Sequence, residues 1–185
     1  MSDRLATSTR DISQYHISLS DAHTVLSRAC LGVLLRDLVD KSGADSGPLS
    51  RYAARHWVTH GQVENVASRV RDWMECLFDP DKPYFEAWVQ LHNVDNDRYY
   101  FGTDSDPEPG ARPLYYAALC GFHELVEHLT LNYSQYTGAQ GGRLGTALHS
   151  GPFAGHLWIV RSLLQHGVGV DVRGIFELHA IAVCI

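Results

Sequence analysis

Little in this 185-residue chain is basic: 15 Lys and Arg stand against 21 Asp and Glu, a formal net charge of −6. A nucleic-acid or anionic-membrane surface draws its affinity from a basic patch, so neither partner is expected. Cysteine is scarce as well. Cys30, Cys76, Cys120 and Cys184 are widely spaced, with no C-x-x-C pair, which excludes a disulfide scaffold and points to reduced thiols in a cytoplasmic protein. No apolar run approaches the roughly 20 residues of a membrane span. Met1–Arg10 is polar and lacks the apolar core of a secretory signal. Cys184 is second from the end, where prenylation needs fourth. Asn132-Tyr133-Ser134 is a formal glycosylation sequon that such a chain leaves idle. Neither G-x-x-x-x-G-K-[ST] nor G-x-S-x-G occurs, so no phosphate-cradling loop or nucleophile elbow is expected.

What is present is ordinary globular composition, 45% hydrophobic and 19% charged, on a length that suits one or two domains and buries a real core. The acidic excess lies before residue 111, and Asp95, Asp97, Asp104, Asp106 and Glu108 crowd one short stretch. Residues 1–15 are polar and read as a disordered N-terminus. Ser18-Leu19-Ser20-Asp21 fits a capping box. Behind it Ala22, Val25, Leu26, Ala29, Cys30, Val33 and Leu34 recur at helical spacing, predicting a helix over about 19–38. Pro48 opens a second helix carrying Leu49, Tyr52, Ala53, His56 and Trp57, which Gly61 closes. A third reads from about Gln62 to Phe78 through Val63, Val66, Ala67, Val70, Met74 and Leu77, and Pro80 prevents its continuation. A fourth starts near Pro83 and carries Phe85, Trp88, Val89 and His92 to about Asn93. The expected layout is a helical domain over 16–93, an acidic, Pro-rich linker over 94–110, and repeats over 111–185.

After residue 110 the chain repeats itself. Leu114 and Leu148, Gly121 and Gly155, and Val126 and Val160 are each separated by 34 residues, a period that signals stacked helical units. Each glycine is placed to supply the positive-φ turn between two helices. Gly151-Pro152 falls inside the first helix of the second copy, where a proline costs roughly 3 kcal/mol or kinks the helix. Leu178-His179-Ala180 reads as the opening of a third copy, a C-terminal stub.

These copies resemble ankyrin repeats. The second has Thr146, Leu148, His149, Gly155-His156, Ile159-Val160 and Leu163-Leu164; the first has Pro113, Leu114, Ala117-Ala118, Gly121 and Leu125-Val126. The first departs at Arg112 and Tyr115, where that family usually has Thr and His, and it is one residue longer than the usual 33. Ile17–His23, Pro48–Trp57 and Leu77–Pro83 with Trp88 resemble the helical region behind the nucleotidase module of fungal NACHT–ankyrin proteins. The two resemblances imply an all-α fold, a small helical unit followed by a short ankyrin-like helical repeat stack. They imply a non-catalytic protein–protein interaction scaffold, not an enzyme. Binding would fall to hairpin tips near Thr137–Arg143 and Val168–Arg173, and an uncapped repeat edge gives a route to self-association. The alternative they leave is a regulatory fragment of a nucleotide-dependent NACHT-type switch protein whose nucleotidase lies in another chain.

No catalytic, cofactor-binding or metal-ligating residue is assigned, and no cofactor is expected. His56 and His60 are i, i+4 on one helix and could share a metal, but no third ligand is near in sequence, so a structural role is expected. His123-Glu124-Leu125-Val126-Glu127-His128 has one residue too many for H-E-x-x-H; five residues turn the second ring about 140° away from the first. Asp104-x-Asp106-x-Glu108 has proline where a calcium loop needs its bend glycine, and reads as solvated linker. Trp158 is expected between repeats, and Tyr99-Tyr100-Phe101 at the junction of the halves.

Overall fold

The computed structural model describes residues 17–40, 47–95 and 112–169. Among them the protein is all-α, with nine α-helices, one 3-10 turn and no strand beyond an isolated bridge between Gly142 and Gly145. The first, α1, runs Leu19–Asp40. Ser18 caps it as expected: its hydroxyl accepts from the Asp21 amide at 3.0 Å and donates to the Asp21 carboxylate at 2.6 Å. The helix α2, Pro48–Gly61, lies along it.

Both helices bury part of the face their apolar periodicity marks, at Cys30, Leu34, Ala53 and Trp57, and are rotated away from the rest of it. Val25 is 66% exposed and Leu26, Leu49 and Tyr52 are open, while Thr24, Ser27, Leu31, Leu34 and Leu38 of α1 face Ser50, Ala53, Ala54 and Trp57 of α2 inward. Small residues line the contact: a Cβ on Gly61 would be in ordinary contact with the Ser27 hydroxyl at 3.8 Å and tighter, at 3.3 Å, against the Phe122 ring.

The expected third helix is two pieces, α3 (Val66–Arg69) and α4 (Arg71–Leu77). Val70 breaks it, with φ −118° and its amide shared between the Val66 and Ala67 carbonyls. The apolar face survives the break: Val66, Val70, Met74, Leu77 and Phe78 are all buried. The next helix, α5, spans Tyr84–Leu91 and places Trp88 so that its indole N–H donates to the Ala54 carbonyl at 3.0 Å.

The second half is two helix–turn–helix units. α6 (Pro113–Cys120) and α7 (His123–Asn132) form one; after the 3-10 turn Ser134–Tyr136, α8 (Ala147–Phe153) and α9 (Leu157–Gln165) form the other. Their turns are the same structure. Gly121 has φ +79° and Gly155 φ +86°. The following amides reach back five residues, Phe122 to the Ala117 carbonyl at 3.1 Å and His156 to the Gly151 carbonyl at 2.8 Å. This closes each first helix with a Schellman motif, which needs a residue in the left-handed region. Pro152 lies inside α8, which runs on to Phe153, so the proline does not break the helix. Gly151 beside it lets Ile159 approach; a Cβ there would lie 3.0 Å from the Ile159 side chain.

One hydrophobic core runs through both halves. Trp57 stacks on Phe122 at 5.4 Å and meets Trp88 and Phe78 edge-on at 5.3 and 5.9 Å. Phe85 meets Tyr116 at 5.5 Å. A polar rim follows the same seam: Ser68 donates to Glu124 at 2.8 Å, His128 lies 3.1 Å from Glu75, Tyr133 donates to Asp79 at 3.2 Å, and the Gln62 amide donates to the Cys120 carbonyl at 2.8 Å. At the start of the expected linker, Val94 and Asp95 are buried against this body. Residues 96–110, including Tyr99–Phe101 and the acids from Asp97 to Glu108, lie outside the described residues, as do the N-terminal 15 residues, Cys184 and the Leu178–Ala180 stub.

Candidate functional site

The outer edge of the second unit is the most distinctive surface. In the first unit, Val126 and Thr130 of α7 are covered, Thr130 to 4% exposure, and a Cβ on Gly121 would lie 2.5 Å from the His156 ring. The matching positions 34 residues on are open. Val160 is half-buried, Leu164 is 41% exposed, and nothing lies within 4 Å of a Cβ on Gly155. Leu157, Val160, Arg161, Leu164 and Gln165 line a shallow depression of about 490 Å³ there. The face with which the first unit holds the second is therefore repeated on the second unit and left uncovered by the described residues. Arg161 replaces Glu127 on it, which reverses the local charge.

Trp158 turns the other way, toward the first unit, and is both packed and open. It is 39% exposed and meets the His123 ring at 4.3 Å, edge to face, so it bridges the two units without being enclosed by them. His123 also pairs with Glu127 at 3.1 Å, whereas His128 turns to Glu75. The two rings diverge, as five residues of helix dictate.

The first tip is tied down. The Arg112 amide donates to the Gly141 carbonyl at 3.0 Å, and the Arg112 guanidinium lies 5.3 Å from the centre of the Tyr136 ring. Asp95, only 3% exposed, accepts from Tyr115 at 2.7 Å and from the Arg143 amide at 3.2 Å, and the Leu144 amide donates to the Tyr115 hydroxyl at 3.2 Å. Burial pushes the Asp95 carboxyl above its ordinary range, against the lowering effect of the Tyr115 hydroxyl and the Arg143 amide. Burial also raises the Tyr115 and Tyr116 phenols, and the Asp95 charge adds to it. Sequence reasoning placed Asp95 in a solvated linker; the signal it passed over is the pair of tyrosines in a buried helix, whose hydroxyls need partners. Of the second tip, Val168 is buried and Gly169 exposed, and the rest lies outside the described residues.

His56 and His60 do not gather a metal site. His56 packs on Tyr52 at 4.5 Å. His60 instead meets His23 of α1, Nδ1 to Nδ1 at 3.0 Å, a partner 37 residues away that spacing could not reveal. Among the described residues no three His, Cys, Asp or Glu side chains converge as metal ligands. Burial lowers His60 from the ordinary imidazole value of 6.5, and the charges of His23 and His56 lower it further. A depressed folded-state value means that protonation favours unfolding. The stability it contributes is full above pH 6.5 and is lost as pH falls toward the lower folded value. Thermal melts at pH 7.5 and 5.5 should show a loss at the acid side that His60→Gln reduces; equal losses in both proteins would remove His60 as the cause.

The fold and this edge define the class: an all-α protein with two stacked helix–turn–helix units fused to a helical body. Among known proteins, the chain is 25% identical over 174 residues to "Azaphilone pigments biosynthesis cluster protein L" of Monascus ruber. The similarity covers 85% of this chain and 37% of the relative, so the chain spans well under half of the relative's length. No protein-family model matches the chain. No solved structure matches it. The likeness corrects one expectation. A chain similar to a protein described by its place in a biosynthesis cluster cannot be set down as a non-enzyme because familiar motifs are missing, and that exclusion is withdrawn. No helix of the described residues is long and apolar enough to cross a membrane.

Proposed function

We propose that the chain binds other proteins through an ankyrin-like repeat stack. The observation that carries this reading is the repeated face of α9, shaped like the covered face of α7 yet open at Val160 and Leu164. A contiguous apolar face on a folded protein marks an interaction surface, and Leu157, Val160 and Leu164 make one on α9. The Thr146 hydroxyl and the His149 ring, 2.9 Å apart, close the first turn of α8 and support the ankyrin resemblance. The relative's description supplies a setting in which to seek the partner, among proteins encoded with a biosynthetic cluster. The resemblance of the first helices to the region behind a nucleotidase module keeps a switch reading beside it, which differs in requiring nucleotide.

The test is comparative affinity capture with the wild-type chain and the double variant Leu157→Asp, Leu164→Asp. Both positions are exposed, so the variant should melt within about 1 kcal/mol of wild type. A stoichiometric protein retained by wild type and lost by the variant, with or without ATP and metal, supports the reading. Retention that requires ATP moves the chain to the switch reading. No protein whose capture depends on this face overturns both uses of it.

A further inference from the structure

The first repeat departs from the ankyrin pattern at Tyr115, and that side chain joins the tip loop to the chain before the repeats. Tyr115 donates to one Asp95 oxygen at 2.7 Å, the Arg143 amide donates to the other at 3.2 Å, and Tyr116 reaches the same oxygen at 3.4 Å. The Leu144 amide then closes on the Tyr115 hydroxyl at 3.2 Å. The loop is built onto this group. A Cβ on Gly142 would fall on the Tyr115 ring and 2.8 Å from the Asp95 carboxylate, and one on Gly141 would lie 2.5 Å from the Tyr115 Cβ. The Gly141 amide, donating to the Gly145 carbonyl at 2.8 Å, completes a tight turn. The Arg143 and Leu144 amides thus reach the latch from the backbone, while Gly141 and Gly142 leave the room the Tyr115 ring needs.

We propose that Asp95 is the latch of the first repeat's tip: its buried carboxylate fixes the loop 141–145 in the one shape that the tip presents to a partner. Asp95 is a positioning residue in this role, acting on binding through a loop 48 residues away. The groups that face it are Tyr115 and Tyr116 from α6, Asn93 through the Tyr116 hydroxyl at 3.2 Å, and Arg143 from the loop. The bearing on binding rests on the protein-binding reading; the latch does not.

Amide hydrogen exchange on the full chain tests it, with Asp95→Asn and Tyr115→Phe. The Arg143 amide in the first variant and the Leu144 amide in the second should exchange roughly 10- to 100-fold faster, as loss of a bond to a charged or buried partner implies. Amides of α1 and α2 should keep their wild-type rates. Because ionised Asp95 is costly to bury, Asp95→Asn should melt at or above the wild-type temperature. Unchanged exchange at Arg143 and Leu144 would overturn the latch. So would a uniform speeding of all helices, which would make Asp95 a strut of the core. Exchange is read with no partner present, so failure of the latch and failure of the capture experiment are separate results.

Discussion

Trp57→Ala is expected to cost about 3–5 kcal/mol and to lower the melting temperature by roughly 6–20 °C. Trp57 is fully buried and is the hub of the aromatic core, stacked on Phe122 and in edge contact with Trp88 and Phe78. Truncation leaves a cavity on the seam between the helical body and the first repeat unit, where neither side can collapse independently. Its indole N–H has no hydrogen-bond partner among the described residues, so Trp57→Phe removes an unpaired buried donor while keeping a ring and should cost less than alanine. Trp73, 40% exposed and resting on Gly32, is the control; its alanine variant should stay within about 1 kcal/mol of wild type. Differential scanning calorimetry of the three variants settles the ranking. A Trp57→Ala shift no larger than that of Trp73→Ala would refute the hub assignment.

The second large effect is expected from removing the helical body altogether. A fragment of residues 111–185 should not unfold as a cooperative monomer. Phe122, Leu125, Tyr116 and Leu119 are buried in the intact protein as part of the shared core, and the fragment would turn the Trp57 and Trp88 contacts of Phe122 and Tyr116 out to water. Exposing such side chains costs about 1.5–3 kcal/mol each, and two repeat units are fewer than the three such arrays normally need. Circular dichroism should give a broad melt with no baseline, or the fragment should associate. A sharp monomeric transition would show that the repeats hold themselves up.

The elements legible in the sequence are those where local signals agree. Ser18 with Asp21 started α1, Pro48 and Gly61 bounded α2, and the 34-residue spacing of Leu114, Gly121 and Val126 with Leu148, Gly155 and Val160 gave the repeat register. What escaped was decided by contacts between distant segments. The buried faces of α1 and α2 mix the small Ser27, Ala53, Ala54 and Gly61 with the large Leu31, Leu34 and Trp57, while the apolar Val25 and Leu49 stay outside. The break at Val70 carries no Gly or Pro to announce it. His23 and His60 meet across 37 residues, and Asp95 and Arg143 across 48. Periodicity reports which side of a helix is oily; it is silent on which side another helix can approach closely.

The seam around Trp57 gives the array a direction. One end is welded through Phe122 and Tyr116 to a body that does not repeat, and the other presents Gly155 and Leu164 with nothing beyond them among the described residues. Gene duplication can therefore lengthen such a chain by whole 34-residue modules stacked on the open face of α9. A module placed between α5 and α6 would unseat the aromatic hub, whereas one placed after α9 would inherit an already competent landing face.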